Sequence, residues 1–352
     1  MPTDAHVAAR SLAILWNGDR LSLLDQRVLP AHNRYVECAR AGEVAVAIRD
    51  MVVRGAPAIG IAAAYGVALA VREHEALPTA ERAAALDAEL NRLAAARPTA
   101  VNLGWALARL RPLLDRGAGF EDVAAAAEAL HDEDVATNRA LARLGASQLG
   151  PASRVLTHCN TGPLATGGVG TALGVIVSAW RAGKLREVRF TETRPWLQGA
   201  RLTAWELATA EVPATLMTES AAGGLAARGE IDWLIVGADR IAANGDVVNK
   251  VGTAPLAELT HLGGGRLMVV APFSTVDLAL ARGSEVTIEQ RAGEEVWRAT
   301  QAAEVPAGIA IANPAFDVTP AQRVDCLVTE RGLISPSKGE FPGRLEAPGM
   351  VK

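Results

Sequence analysis

The spacing of hydrophobic and polar positions changes near the middle of the chain. From roughly Val44 to Gln148, apolar residues recur with a helical period, interrupted at turns that contain glycine or proline. Upstream, two short apolar runs flank Asn17-Gly18-Asp19, which predicts a β-hairpin within Leu12–Leu24. The first part of the chain is therefore predicted to be mainly helical, with a small β-hairpin.

The second half alternates short apolar runs with helical segments. The predicted strands are Val155–Thr157, Val188–Thr191, Ala214–Thr218, Trp233–Val236, Leu267–Ala271 and Cys326–Thr329. The first three are followed by predicted helices at about Thr171–Ala182, Gly199–Glu211 and Ser220–Arg228. Such alternation predicts an α/β fold with a Rossmann-like, doubly wound parallel sheet. With a boundary near Gly150, we expect a helical domain over residues 1–149 and an α/β domain over residues 150–352.

Length, net charge and cysteine content limit the kinds of molecule that the protein is expected to bind. A length of 352 residues suits two domains, and a net charge of −4 gives no basic surface for nucleic acid or for a membrane. The uncharged segments Gly55–Val71 and Cys159–Trp180 contain glycine and proline or polar residues, so we predict buried helices rather than membrane spans. Three distant cysteines without metal-ligand spacing, and an N-terminus without a signal-peptide pattern, predict a cytoplasmic protein that needs no metal.

Two residues that follow predicted strands could carry acid/base chemistry. Ligands of open α/β sheets lie at the carboxyl ends of the strands. Cys159 comes there, before a glycine-rich loop and a helix start, a setting that lowers the pKa of a thiol. Asp239 comes after another strand, where apolar neighbours would raise its pKa. The alternatives are an inert core cysteine and a turn-capping aspartate, and His158 could assist or be purely structural.

Several basic residues adjoin glycines or helix starts, where an anion is well held. Arg54 precedes Gly55 and Ala56 at a predicted helix start, so its guanidinium and the helix N–H groups could bind phosphate. Arg97 stands before another predicted helix start, and Lys250 supplies a further cation. Each could alone be a solvated charge, but together they predict an anion site.

The remaining candidates are neutral or weaker. Gln198 and Asn249 are suited to sugar hydroxyls, although either could cap a helix or a turn. Gly168-x-Gly170 with Glu192 mimics a dinucleotide fingerprint, but about ten residues separate the first of these glycines from the strand. Asp132, Glu133, Asp134 and their neighbours on the long alanine-rich helix are interpreted as a solvated face.

Six segments together make the chain resemble the methylthioribose-1-phosphate isomerase family. They are LLDQRVLP (residues 23–30), IRDMVVRGAPAIG (48–60), RPTAVNL (97–103), THCNTG (157–162), TRPWLQGARLTAWEL (193–207) and GADRIAANGDVVNKVGT (237–253). The resemblance covers nearly the whole length. The same fold family contains ribose-1,5-bisphosphate isomerases and regulatory subunits of the translation-initiation guanine-nucleotide-exchange factor.

The resemblance implies functional roles and a reaction. Asp239 is expected to be the proton donor and Cys159 its partner at the transition state, and the expected substrate-binding residues are Arg54, Gly55, Ala56, Arg97, Gln198, Asn249 and Lys250. The implied protein is a cytoplasmic homodimer that converts 5-methylthioribose 1-phosphate to 5-methylthioribulose 1-phosphate without a cofactor. The alternatives are an isomerase of another 5-substituted ribose 1-phosphate, a non-catalytic sugar-phosphate or nucleotide sensor acting as a regulatory subunit, and a dinucleotide-dependent oxidoreductase.

Overall fold

The chain forms two compact units. The computed structural model describes residues 12–97, 101–301 and 304–344. The first unit contains the described residues up to Ala142 together with Thr161–Gly174, and the second contains Arg143–Asn160 and the described residues from Val175 onward. The loop Thr161–Gly174 thus packs with helices that precede it in sequence. The expected domain boundary near residue 150 stays a prediction, because units defined by contacts need not coincide with folding domains.

The first unit is mainly helical and carries a small antiparallel sheet. Its elements are β1 (Ile14–Trp16), β2 (Leu21–Leu24), β3 (Tyr35–Cys38), α1 (Ala41–Arg49), α2 (Ala56–Glu73), α3 (Thr79–Ala96), α4 (Val101–Asp115) and α5 (Phe120–Ser147), whose last turn lies in the second unit. The strands pair in the order β1-β2-β3. The predicted hairpin corresponds to β1 and β2, and the sequence analysis missed the third strand.

Helix α2 is the core of this unit. By length and composition it could cross a membrane, but 78% of its apolar window is buried inside the protein, as in the core helix of a globular fold. At Gly60 a Cβ atom would lie 2.8 Å from the carbonyl oxygen of Asn102 in α4. Glycine therefore allows the two helices to approach closely, and the prediction of a buried helix over Gly55–Val71 is confirmed.

The second unit is an α/β layer structure. Its strands are β4 (Ser153–Thr157), β5 (Leu185–Thr191), β6 (Thr215–Met217), β7 (Trp233–Val236), β8 (Arg240–Ala242), β9 (Val247–Lys250), β10 (Arg266–Val270), β11 (Val276–Asp277), β12 (Phe316–Thr319), β13 (Cys326–Thr329) and β14 (Gly332–Ile334). Its helices are α6 (Ala172–Arg181), which begins in the first unit, α7 (Ala204–Thr209), α8 (Glu219–Ala227), α9 (Thr253–Leu262) and the short α10 (Glu294–Trp297). A π-helical turn, Gly199–Thr203, leads directly into α7.

The large sheet has seven strands in the order β14-β13-β10-β7-β4-β5-β6. Strands β13, β10, β7, β4, β5 and β6 run parallel, and β14 joins β13 antiparallel. The chain enters at central β4, winds outward to β6, and then returns to β7 on the other side of β4. This order confirms the predicted doubly wound sheet, and its topological switch point lies between β4 and β7.

A smaller four-stranded sheet, in the order β11-β8-β9-β12, follows β7. The sequence analysis did not predict it, although Asn244-Gly245 between β8 and β9 is a strong hairpin signal. Gly245 indeed has a φ of 88°, a backbone conformation that favours glycine. This hairpin carries residues beyond Asp239 back towards the carboxyl end of β7.

Candidate functional site

The carboxyl ends of β4 and β7 lie side by side at the switch point. In the parallel register between these strands, Thr157 pairs with Ile235. Cys159 follows shortly after Thr157, and Asp239 follows shortly after Ile235. Crevices at such switch points are where open α/β sheets bind ligands. The topology therefore brings the predicted thiol and carboxyl groups to the same edge of the sheet.

The β8–β9 hairpin brings Asn249 and Lys250 to this edge. The Asp239 N–H donates to the Val248 carbonyl at 2.9 Å, and Arg240 pairs antiparallel with Val248. Asn249 is consequently the neighbour of Asp239 across the hairpin. It is buried, and its Nδ2 donates to Thr253 Oγ1 at 3.0 Å.

Lys250 is a buried cation, only 9% exposed. Its Nζ donates to the Ala315 carbonyl at 2.9 Å and lies 4.9 Å from the centroid of the Phe316 ring. An ammonium group has three N–H donors. Because it is desolvated and, among the described residues, its close partners are a carbonyl and a ring, Lys250 is suited to an anionic ligand.

Asp317 fixes the backbone that follows Lys250. Its carboxylate accepts the N–H of Gly252 at 2.7 Å and that of Ala254 at 3.2 Å, at the start of α9. Burial raises the pKa of Asp317 to about 6, although these bonds and the Lys250 charge favour the ionised form. The sequence analysis missed this residue, which lies far along the chain from the segment that it holds.

Cys159 adopts a left-handed backbone conformation, with a φ of 68°. Such a conformation costs a residue with a side chain about 1–2 kcal/mol, so it needs compensating contacts. Its backbone N–H donates to Thr193 Oγ1 at 2.9 Å, and its carbonyl accepts from Thr203 Oγ1 at 2.7 Å. Both peptide groups that flank the half-buried Cys159 side chain are thereby held.

His158 is fully buried and uses both ring nitrogens. Its Nε2 lies 2.9 Å from the Val251 carbonyl, which can only accept, so Nε2 carries the proton and donates. Its Nδ1 then accepts from the Thr191 hydroxyl at 2.7 Å. Burial lowers the pKa of His158 to about 4, which keeps the ring neutral near pH 7. These contacts favour the structural interpretation of this histidine.

Gln198 directly precedes the π-helical turn Gly199–Thr203 and follows the loop at Thr193 that holds Cys159. The Leu197 N–H donates to the Thr193 carbonyl at 2.8 Å, which closes the loop beside Thr193. Gln198 is 6% exposed, and among the residues described its Oε1 has no hydrogen-bond partner. A buried amide oxygen without a partner is costly, so this atom is suited to a ligand hydroxyl. The second unit thus brings Cys159, Asp239, Gln198, Asn249 and Lys250 to one edge.

In the first unit, the start of α2 packs against the glycine-rich loop. Gly55 has a φ of 99°, and a Cβ there would lie 2.6 Å from Ala165. Glycine at this position allows the loop to lie against the helix start, where Ala56 is the first helical residue and Arg54 is buried. Arg97 is half-buried at the end of α3, and the helix start expected at Pro98 lies outside the described residues.

A buried polar network holds the same loop at Gly167. His131 Nε2 donates to the Gly167 carbonyl at 2.8 Å, and the Tyr65 hydroxyl donates to His131 Nδ1 at 3.1 Å. The Gly167 N–H donates to Asp134 Oδ2 at 2.6 Å, and Asn138 Nδ2 donates to the same oxygen at 2.8 Å. Desolvation raises the pKa of Asp134 to about 7. The interpretation of Asp134 as part of a solvated face is therefore wrong.

In a dinucleotide fingerprint the backbone N–H groups of the glycine loop bind the pyrophosphate, and the glycine loop of this protein differs from that arrangement. Thr166 Oγ1 accepts the N–H of Gly168 at 3.3 Å and that of Gly170 at 3.1 Å. These amides are used inside the loop rather than pointing at a pyrophosphate, which argues against the oxidoreductase alternative. Within the described parts of the chain, no group of three or more His, Cys, Asp or Glu side chains is arranged to hold a metal ion.

The sequence analysis missed the hydroxyl groups that organise this edge of the sheet. Thr191, Thr193 and Thr203 are all buried, and each bonds to His158 or to the backbone of Cys159. The available signal was a pair of threonines at the end of a predicted strand, in the run Thr191-Glu192-Thr193. Threonine is common in strands for its β-branched shape, so the run alone does not indicate a polar network.

The fold and the site define an α/β protein with polar side chains at the switch point of a doubly wound sheet, and the comparisons with known proteins agree with this class. The sequence model of the Initiation factor 2 subunit family matches residues 52–336. A methylthioribose-1-phosphate isomerase from Alkalilimnicola ehrlichii is 53% identical over 325 residues, covering 92% of this chain and 94% of that protein.

Two solved structures are also similar. The 5-methylthioribose 1-phosphate isomerase from Pyrococcus horikoshii superposes with a TM-score of 0.85 at 37% identity, covering 95% of each chain. The translation initiation factor eIF-2B subunit delta from A. fulgidus gives a TM-score of 0.80 at 41% identity, covering 92% of this chain and 96% of that one. The chain belongs to the Initiation factor 2 subunit family and, within it, to the methylthioribose-1-phosphate isomerases.

Proposed function

We propose that this protein is an aldose–ketose isomerase that converts 5-methylthioribose 1-phosphate to 5-methylthioribulose 1-phosphate in methionine salvage. The observation that carries the proposal is the identity of 53% to a methylthioribose-1-phosphate isomerase over 92% of the chain. The placement of Cys159 and Asp239 at the carboxyl ends of β4 and β7 supports it, because a thiol and a carboxyl group at one edge are the groups that a proton-transfer isomerase needs. We further propose that the protein acts in the cytoplasm as a homodimer.

The phosphate on C1 sets the chemical problem, because it prevents the ordinary opening of the ring hemiacetal. We propose that Asp239, in its protonated form, donates to the ring oxygen as the bond from C1 to that oxygen breaks. Cys159 thiolate then removes the proton from C2 to give the enol and returns that proton to C1. The C2 hydroxyl gives its proton to the Asp239 carboxylate left by the first step, which forms the ketone and restores the protonated acid. One hydrogen thereby moves from C2 to C1, and the ring oxygen becomes a hydroxyl.

Three polar residues of the second unit suit the substrate. Lys250 provides a desolvated cation for the phosphate, and Gln198 Oε1 and Asn249 are buried hydrogen-bonding groups for sugar hydroxyls. The assignment of Arg54, Gly55, Ala56 and Arg97 of the first unit as substrate-binding residues stays a prediction that rests on the resemblance and on the helix start that three of them form.

The proposal is tested by a proton NMR time course of wild type, Cys159→Ser and Asp239→Asn with 5-methylthioribose 1-phosphate. We expect conversion to the ketose by wild type and a loss of about 10²–10⁴-fold in kcat in each variant, as is usual for acid/base groups. Folded wild-type protein that does not turn over this substrate would refute the assignment. Full activity of both variants would refute the roles of Cys159 and Asp239.

Turnover in heavy water distinguishes two routes. Proton transfer through Cys159 predicts some solvent deuterium at C1 of the product. A hydride shift from C2 to C1, with Cys159 only stabilising charge, predicts none. Partial incorporation that falls in Cys159→Ser would support the thiol as the base.

A second candidate is a regulatory subunit that binds a sugar phosphate or nucleotide without turnover. The favouring observation is the 41% identity to the translation initiation factor eIF-2B subunit delta from A. fulgidus. Calorimetric binding of the substrate without ketose formation would support this candidate. Faster turnover of another 5-substituted ribose 1-phosphate would instead move the proposal to that sugar.

A further inference from the structure

We propose that Thr193, supported by Thr191 and His158, is a positioning residue for the Cys159 thiol. The inference rests on the proposed function, because it assigns these side chains to the reaction through Cys159. None of the three is required to touch the substrate. Their task is to hold Cys159 in a conformation that its backbone does not favour.

The argument starts at the backbone of Cys159. Its φ of 68° lies in the left-handed region, and the Thr193 hydroxyl that accepts its N–H belongs to a residue whose φ is 64°. The Cys159 carbonyl is held from the opposite side by the Thr203 hydroxyl. The backbone dihedrals of Cys159 set the direction of its Cα–Cβ bond relative to the two flanking peptide groups. Bonds to both groups therefore fix where Cβ points and limit Sγ to the few χ1 rotamers about that bond.

The hydrogen bonds behind Thr193 have one consistent direction. The Cys159 N–H can only donate, so Thr193 Oγ1 accepts it and must give its own proton elsewhere, to Thr191 Oγ1 at 2.8 Å or to the Thr191 carbonyl at 3.3 Å. Thr191 gives its proton to His158 Nδ1, and His158 gives that of Nε2 to the Val251 carbonyl. We call this chain of hydrogen bonds, from the Cys159 N–H through Thr193, Thr191 and His158 to the Val251 carbonyl, the relay. Each hydroxyl and ring nitrogen in it has a hydrogen-bond partner.

The same bonds exclude a direct proton transfer between His158 and the thiol. Both ring nitrogens are engaged with other partners, and neither partner is Cys159. The neutral ring is also the stable form near pH 7, because burial opposes its charge. The geometry therefore gives His158 a structural role, which is to hold Thr191 and Thr193 in place. It affects the reaction only indirectly, by way of the Cys159 backbone that Thr193 holds.

Packing around the relay leaves little room for it to relax. A Cβ at Gly252 would lie 3.1 Å from His158 Cε1 and Nε2. A Cβ at Gly199 would lie 1.7 Å from the Thr191 carbonyl oxygen and 3.0 Å from Thr193 Oγ1. Glycines therefore lie against both ends of the relay, and a side chain that loses its bond there cannot readily find another position.

The test compares Thr193→Ala with Thr193→Ser, which keeps the hydroxyl. Thr260→Ala is the matched control, because Thr260 is equally buried and, among the described residues, its hydroxyl bonds only the Leu256 carbonyl within α9. We expect Thr193→Ala to lower kcat about tenfold or more with KM changed less than about threefold, because positioning acts on the chemical step. Thr193→Ser should stay within about threefold of wild type, and Thr260→Ala should lower the Tm without this loss of kcat.

A second measurement does not depend on turnover. The pH dependence of Cys159 alkylation by iodoacetamide, followed on its peptide by mass spectrometry, reports the setting of the thiol directly. We expect the profile of Thr193→Ala to shift and that of Thr193→Ser to match wild type. If wild type lacks isomerase activity, the proposed function fails, and this profile still decides whether Thr193 positions the thiol.

Two results would overturn the proposal. One is a Thr193→Ala protein with wild-type kcat and an unchanged alkylation profile. The other is a Thr260→Ala protein that loses as much kcat as Thr193→Ala, which would assign the effect to stability alone. Should Thr193→Ala fail to fold, Thr191→Val removes the middle hydroxyl isosterically within β5, and the same readouts apply.

Discussion

Two buried histidines, one in each unit, hold irregular backbone in closely similar ways. His131 donates to the carbonyl of Gly167 and accepts from the Tyr65 hydroxyl, whereas His158 donates to the carbonyl of Val251 and accepts from the Thr191 hydroxyl. Each ring thus has one donor and one acceptor bond. In both cases an imidazole N–H satisfies a carbonyl in a segment without regular secondary structure, and burial keeps the His158 ring neutral near pH 7.

The difference lies in what else each network contains. The network of the first unit includes a carboxylate, Asp134, whose pKa is raised to about 7, whereas the relay of the second unit contains hydroxyls and a histidine whose pKa is lowered to about 4. Their contributions to the free energy of unfolding therefore respond to pH with opposite signs. The Asp134 contribution falls as pH rises from about 4 to 7, and the His158 contribution falls as pH drops from about 6.5 to 4. Between pH 7 and 8 neither changes much.

The largest effect on stability is expected at Gly199, where the backbone packs directly against Thr191 of the second unit's relay. Gly199→Ala would place a Cβ 1.7 Å from the Thr191 carbonyl oxygen, so β5 or the π-helical turn must move. We expect a loss of about 3 kcal/mol or more in the free energy of unfolding, measured by urea denaturation. Gly104→Ala is the control, because at that exposed position in α4 an added Cβ meets no other described part of the chain within 4 Å, and a gain of about 0.5–1 kcal/mol is expected there. A wild-type midpoint for Gly199→Ala would contradict the packing argument.

The second prediction concerns the opposite pH dependence of the two networks' contributions to the free energy of unfolding, and it is tested with Asp134→Asn. In the wild type, native Asp134 binds a proton more tightly than unfolded Asp134, so its contribution falls with rising pH up to about 7. The amide is isosteric and uncharged, and its oxygen can still accept from Gly167. Between pH 5 and 8 we expect the variant to gain on the order of 1–3 kcal/mol relative to wild type.

The control for that titration is Glu133→Gln on the same helix. Glu133 is exposed and pairs with Arg109 at the surface, so its removal should leave the pH dependence nearly unchanged. Other groups, such as Asp317, titrate equally in wild type and variants and cancel in the difference. Parallel pH curves for wild type and Asp134→Asn would show that Asp134 does not titrate in this range.

The two networks also show which features of the structure the sequence pattern could predict and which it could not. Strand–helix alternation was sufficient for the doubly wound sheet, and the positions of Cys159 and Asp239 after their strands follow from the same pattern. The holding residues could not be found in that way, because His131 and Gly167, or His158 and Val251, are distant in sequence and meet only in the folded chain. Asp134 was misinterpreted because its neighbours Asp132 and Glu133 are indeed exposed, and a helix turns one residue in such a run inward.

The smallest expected effect comes from removing the one hydroxyl group that bonds to Nδ1 of each histidine. Tyr65→Phe and Thr191→Val each leave a buried imidazole Nδ1 without its donor, so each should cost about 1–3 kcal/mol in the free energy of unfolding. The two losses should be similar, because the ring is buried in both units and the deleted bond is of the same kind. Only Thr191→Val should alter the alkylation of Cys159, since only its hydroxyl lies in the relay that ends at that backbone. Equal changes in alkylation for both variants would mean that the thiol responds to global stability rather than to the relay.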